Sequence, residues 1–159
     1  NLLAQLEIAV HKELQLRHIQ QPLMIGIHTG GVWIAQQLHR RLQLNESLGM
    51  MDISFYRDDF SQIGMHPQIK PSSLPLSIEG RDVILVDDVF HTGRTARAAL
   101  NEIFDFGRPN QVLLAVLIER NGRQIPLRPD CVGCYLELSE HTRIKLTGAE
   151  PLALHVFES

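Results

Sequence analysis

Apolar positions along the chain follow two rhythms in turn. Leu3, Leu6, Val10 and Leu14 recur at helical spacing and, with Arg17, predict an amphipathic opening helix within residues 2–18. Gln20, Gln21 and Pro22 break it. Leu23-Met-Ile-Gly-Ile27 is then a short apolar run read as a core strand. It ends in His28-Thr29-Gly30-Gly31, after which Ile34, Ala35, Leu38 and Leu42 line one face of a helix. The same design returns further on. Val83-Ile-Leu-Val86 is β-branched and continuous, as a strand buried on both faces should be, and it runs into the acids Asp87 and Asp88. The turn His91-Thr-Gly-Arg-Thr95 follows. Ala96, Ala99, Leu100, Ile103 and Phe104 then predict a helix, with Gly107 placed as its C-terminal cap.

Between these two units, Met51–Tyr56 alternates polar and apolar like a half-exposed strand. Arg57-Asp58-Asp59 and a polar excursion rich in Gly, Pro, Ser and Gln extend to Pro75, which suggests a functional lid over about 57–75. The alternative is a solvated charge cluster. Val112–Ile118 is the longest apolar run and predicts another buried strand, with Glu119-Arg-Asn-Gly-Arg123 as its polar exit. Short strands are expected at Cys131–Leu138, Arg143–Leu146 and Leu152–Phe157. Strands alternating with helices predict an α/β domain, its sheet mostly parallel and its ligand at the carboxyl ends of the strands. With no internal repeat or composition break, residues 1–159 are expected to form a single domain.

Composition narrows the class. At 159 residues, with 44% apolar and 21% charged positions, the chain suits one globular core. It opens on Asn1 rather than methionine, so residues upstream are expected. No run nears the ~18 apolar residues of a membrane span, and no signal peptide is visible. Two cysteines do not make a disulfide framework, so a cytoplasmic location is expected. Cys131-Val-Gly-Cys134 has half the spacing of a zinc site but no second pair, and reads as small core fillers. A net charge of −3 gives no global argument for nucleic acid.

The central stretch carries the chemistry. A turn of small residues at a helix start offers backbone N–H groups to an anion, and acids just before it would face hydroxyls or a metal on the same ligand. It is neither a Walker A loop nor a dinucleotide fingerprint, since it holds a single glycine.

Ile84-Leu-Val-Asp-Asp-Val-Phe-His-Thr-Gly-Arg-Thr95 closely resembles the phosphoribosyl pyrophosphate (PRPP) motif of type I phosphoribosyltransferases. Asp52–Asp59, Gly107-Arg-Pro109, Leu114–Leu117, Glu119-Arg120 and Ile125–Asp130 are similar to one branch, the PyrR family of pyrimidine-operon regulators with uracil phosphoribosyltransferase activity. The resemblance implies a type I phosphoribosyltransferase fold, with a hairpin lid and a small hood mainly from about 126–159. It implies that uracil and PRPP react with Mg2+ present to give UMP and diphosphate. It also implies UMP-dependent binding of pyrimidine-operon leader RNA and a homo-oligomer, a dimer or larger. The opening helix would serve that interface, or else pack on its own sheet.

By position, Asp87 and Asp88 would hold the ribose hydroxyls and, through PRPP, the metal. Thr92, Gly93, Arg94 and Thr95 would surround the 5′-phosphate. Thr29, Gly30 and Gly31 fall on the pyrophosphate loop, where well-studied members carry Thr-Arg-Gly and often a cis peptide. Val132 and Gly133 fall on the segment whose backbone reads the base. Arg57 is the candidate cation for the leaving group. His91 is a candidate base, or else a surface histidine of the turn. The alternatives are a purine (hypoxanthine/guanine) phosphoribosyltransferase and an RNA-binding attenuator with vestigial catalysis. Glu119 and Arg120 stand where purine enzymes usually carry lysine, which favours a pyrimidine. For RNA, Arg17, His18, Arg40, Arg41, Arg143 and Lys145 are the candidate basic patch.

Overall fold

The computed structural model describes residues 1–53, 74, 77–148 and 151–158. The opening helix α1 spans Leu2–Leu16, with the Asn1 side chain accepting from the N–H groups of Leu3 and Ala4. Strand β1 is Leu23–Ile27 and helix α2 is Gly30–Leu42. Strand β2 is only Gly49–Met51, and β3 is Asp82–Phe90. Helix α3 covers Arg94–Phe106, and β4 covers Gln111–Arg120. Strands β5 (Cys131–Leu136), β6 (Thr142–Thr147) and β7 (Ala153–Glu158) complete the described elements. Among the described residues no helix is long and apolar enough to cross a membrane.

Strands β1 to β5 form one parallel sheet in the order β2-β1-β3-β4-β5. The predicted parallel α/β architecture is therefore present. Because β1, β3 and β4 are buried on both faces, their sequences read as continuous apolar runs rather than alternations. One face packs Ile84, Val86, Leu113 and Ala115 against α1 and α2, through Leu6, Val10, Ile34, Ala35 and Leu38. The other packs Val83, Leu85 and Val116 against α3, through Ala96, Ala99 and Ile103. Strands β6 and β7 pair separately as an antiparallel ribbon. Its Leu146 is buried against the α1 side of the core.

Three expectations are corrected, and a fourth, left open between two alternatives, is resolved. First, β3 does not stop before the acid pair but continues to Phe90, because Asp87 still pairs with Val116 and Phe90 with Glu119. Second, the strand expected at 51–56 lies earlier: β2 ends at Met51, and residues 54–56 lie outside the described residues. Third, Gly107 does follow α3, but with extended backbone (φ 168°), not the left-handed cap. Its lack of a side chain is explained by Glu79, whose backbone nitrogen would lie 3.2 Å from an added Cβ. Fourth, the apolar stripe of α1 packs on the chain's own sheet. Leu6, Val10 and Leu14 are buried there, so that stripe does not form an intersubunit surface.

The packing of α1 predicts a steep contrast along one helix. Leu6→Ala should cost about 3 kcal/mol of folding stability through the cavity it leaves. Ile8→Ala, at an exposed position of the same helix, should stay within about 0.5 kcal/mol. Paired denaturant titrations measure both.

Candidate active site

Three segments meet at the carboxyl end of the sheet: residues 28–31 after β1, residues 87–95 ending β3 and opening α3, and residues 121–125 after β4. The first two press directly on each other. A side chain on Gly30 would collide with the Asp88 carboxylate, and one on Gly31 would stand 2.6 Å from the Val86 carbonyl and 3.2 Å from Asp87 Oδ1. The glycines are there because the acid pair fills the space in front of them. The peptide between His28 and Thr29 is cis.

Asp87 and Asp88 are half-buried, and each carboxylate is held by the peptide that follows it. The Asp88 N–H donates to Asp87 Oδ1 and the Val89 N–H to Asp88 Oδ1, each at 2.8 Å. On either side stand two helix N-termini. Neither Thr29 at α2 nor Gly93 at α3 caps its helix with a side chain, and neither helix carries an acid in its first turn. Apart from the Arg94 N–H, which Thr92 takes, the first-turn N–H groups thus have no N-cap side chain as acceptor, and the helix dipoles favour a negative one. Gly93 opens α3 at φ +95°, a conformation that glycine alone enters without strain. The Thr92 Oγ1 accepts from the Arg94 N–H at 3.2 Å and closes the turn.

The remaining sequence-derived candidates fall into place unevenly. Thr95 is half-exposed in the first turn of α3. Val132 pairs with Val116, which pairs on its other side with Asp87, so the three residues form one row across β3, β4 and β5. That row puts Val132 roughly 10 Å from the acid pair, two strand spacings away. Gly133 follows it, and a side chain there would collide with the Leu117 carbonyl. Arg57 and most of the expected lid lie outside the described residues.

His91 stands exposed where β3 ends, with its ring over Gly122: an added Cβ at Gly122 would be 2.8 Å from His91 Nε2. Local desolvation, and then the Arg120 and Arg143 cations, hold the His91 pKa below the ordinary 6.5. The ring is therefore mostly neutral at pH 7 and able to accept a proton.

Cys131 and Cys134 are free thiols, and burial pushes the Cys131 thiol up to about 12. Among the described residues no group of three or more His, Cys, Asp or Glu side chains could hold a metal on its own. A cation at this site would need oxygens from its ligand as well as from Asp87 and Asp88.

Sequence reasoning missed the third segment. Arg120, read as part of a polar exit, is buried, and its terminal nitrogens donate to the Thr142 and Ser139 carbonyls at 2.6 and 3.0 Å. Asn121 is locked to Leu138 by two hydrogen bonds. The one available signal was the density of polar residues straight after the most apolar strand of the chain.

Strand, acid pair and anion-binding turn on a parallel sheet define a phosphoribosyltransferase, and the comparisons agree. The family model of the phosphoribosyl transferase domain matches residues 3–145. The chain belongs to the PyrR family within that superfamily. It is 52% identical over 154 residues to the Bifunctional protein PyrR of Pseudomonas entomophila, covering 97% of this chain and 90% of that one. Against the Bifunctional protein PyrR of Nitrosococcus oceani it is 50% identical over 157 residues, covering 98% and 89%. Among solved structures, a hypoxanthine-guanine phosphoribosyltransferase from Bacillus anthracis superposes with a TM-score of 0.69. That match has 18% identity and covers 85% of this chain and 79% of that one. At that identity the likeness speaks for the fold alone.

The charge environment of His91 predicts its titration. NMR should place the ring midpoint below 6.5, and Arg143→Ala should move it upward by removing a like charge. The sign for stability follows. Since the folded chain resists protonating His91, this residue's contribution is present above pH 6.5 and is lost as pH falls through the lower folded value.

Proposed function

We propose that this protein is a uracil phosphoribosyltransferase that joins uracil to PRPP, giving UMP and diphosphate, and that it also regulates pyrimidine genes through leader RNA. The observation that carries the enzymatic part is the contact between the Gly30-Gly31 turn and the Asp87-Asp88 pair. This contact sets two helix starts beside two carboxylates, which would suit one ligand with phosphates at both ends and a sugar between. The relatives at about 50% identity are PyrR proteins, whereas the purine enzymes match in fold only. The purine reading is therefore not favoured.

In this reading the turn 92–95 takes the 5′-phosphate on the N–H groups opening α3. Asp87 and Asp88 accept from the ribose 2′- and 3′-hydroxyls, and the loop 29–31 takes the diphosphate at the start of α2. The bond from C1 to the diphosphate oxygen breaks, a bond from uracil N1 to C1 forms, and the N1 proton leaves. The carboxylates offset positive charge on the ribose as it develops, which is worth more in a site that excludes water. Neutral His91 would receive the N1 proton. The backbone at Val132 and Gly133 would read the uracil edge.

Magnesium fits this site, because half-buried carboxylate oxygens are hard donors. Asp87 and Asp88 would hold it through PRPP, and it would supply charge neutralisation at the diphosphate. The segment 57–75 would be a lid bringing Arg57 to the leaving group and shutting out water. Of residues from about 126 to 159, those beyond β5, including the β6–β7 ribbon, would be the hood of the single domain, since β5 itself belongs to the main sheet. A homo-oligomer and a cytoplasmic location complete the proposal.

For RNA the candidate basic patch is smaller than its sequence suggests. Arg17 is paired with Glu13 and Asp130, both at 2.9 Å, and Arg41 with Glu7 at 3.1 Å. Arg40, Arg143 and Lys145 are exposed. Gel-shift titration with the operon leader, with and without UMP, tests this arm. Absence of a shift at low salt would leave only the enzyme.

A PRPP-dependent assay with uracil, hypoxanthine and guanine tests the enzyme. Turnover of a purine with none of uracil would overturn the assignment. The double variant Asp87→Asn/Asp88→Asn keeps the size of both side chains but removes their charge. It should lower kcat/KM by ~100-fold or more, with kcat and the KM for PRPP both affected. Circular dichroism should show the fold retained, and Cys131→Ala should change activity little.

A further inference from the structure

Gln124 belongs to no motif, yet it touches the phosphate turn twice. Its backbone N–H donates to the Thr92 carbonyl at 2.9 Å, and its side-chain Oε1 accepts from Arg94 Nε at 3.1 Å. Ile125 beside it fills the space under Gly93, with Cγ1 2.7 Å from where a side chain would begin. The other end of the same short segment is tied down. The Asn121 amide donates to the Leu138 carbonyl at 3.0 Å and accepts from the Leu138 N–H at 2.7 Å. Residues 121–125 thus form a strap, anchored just beyond β5 and pressed against the turn at the start of α3.

We propose that Gln124 is a positioning residue for the 5′-phosphate turn, holding the Thr92 carbonyl and the Arg94 guanidinium in the geometry that receives phosphate. The proposal rests on the reading of residues 92–95 as the phosphate cradle. An arginine side chain at a helix start loses considerable rotamer freedom when it orders around an anion. Engaging Nε in advance orders the stem and leaves the two terminal nitrogens to meet the ligand. The backbone contact at Thr92 survives any substitution, so the side chain's part can be isolated.

Three forms of the full chain separate the outcomes: the parent, Gln124→Met, which keeps the bulk but loses the acceptor, and Gln124→Glu, which keeps an acceptor at the same reach. The Met variant should raise the KM for PRPP by about 3- to 10-fold, as loss of one hydrogen bond to a charged group would. Its kcat, its KM for uracil and its melting temperature should be unchanged, and the Glu variant should return to within about twofold of the parent. By calorimetry, UMP should bind the Met variant more weakly by the same factor, while diphosphate, which uses the other turn, binds as before. An unchanged KM for PRPP overturns the proposal. So does a parallel loss of UMP affinity, diphosphate affinity and melting temperature, since that marks a merely structural strap. A parent that neither binds UMP nor turns over PRPP overturns the functional reading itself, and this inference with it.

Discussion

Between Val83 and Val86 the backbone of β3 is out of reach of water on both faces, so its peptide groups must be paired along both edges and its side chains covered above and below. Parallel neighbours meet the first need, and parallel neighbours require crossovers long enough to hold a helix. The helices of those crossovers meet the second. Once α2 and α3 lie on opposite faces, their N-termini arrive at the same end of the sheet, where the strands finish. Polar chemistry has only that end to occupy. The acid pair sits there because one residue earlier would bury a carboxylate in the core, a cost of several kcal/mol.

This explains which parts of the molecule were legible in the sequence. Buried parallel strands and amphipathic helices are set by local burial, so the runs 23–27, 83–86 and 112–118 and the helix stripes showed directly. Motif chemistry showed because each half is contiguous in sequence, Gly30-Gly31 as one pair and Asp87 to Thr95 as one stretch. The end of β3 did not show. Asp87 to Phe90 look like loop residues, and only the ladder to Val116 and Glu119 keeps them extended. The strap was invisible because Gln124 meets Arg94 across thirty residues, a contact with no periodicity to betray it. Arg120 read as a surface charge, although its donors hold carbonyls that the next stretch of chain brings to it.

The strap and Arg120 also show how the smaller ribbon is joined to the main sheet. Arg120 and Asn121 hold Leu138, Ser139 and Thr142 by hydrogen bonds to backbone, so this part of the attachment adds to the packing of Leu146 without depending on side chains of β6. Since arginine stays charged at any pH a protein meets, this anchorage does not titrate. His91, a neighbour of Arg120, does titrate. Acidification would therefore alter the charge at the turn 91–95 without loosening the ribbon.

The collision between a side chain at position 30 and the Asp88 carboxylate bears on how such a site can evolve. An arginine at position 30 could not seat its first carbon where this chain keeps the Asp88 carboxylate. The two positions are thus coupled: a side chain at position 30 requires the acid's rotamer, or the loop itself, to shift. A lineage that has settled on glycine is held there by its neighbour across the cleft. On the proposed reading of this loop as the leaving-group site, main-chain groups would carry much of that contact, and selection can adjust those only by moving the backbone.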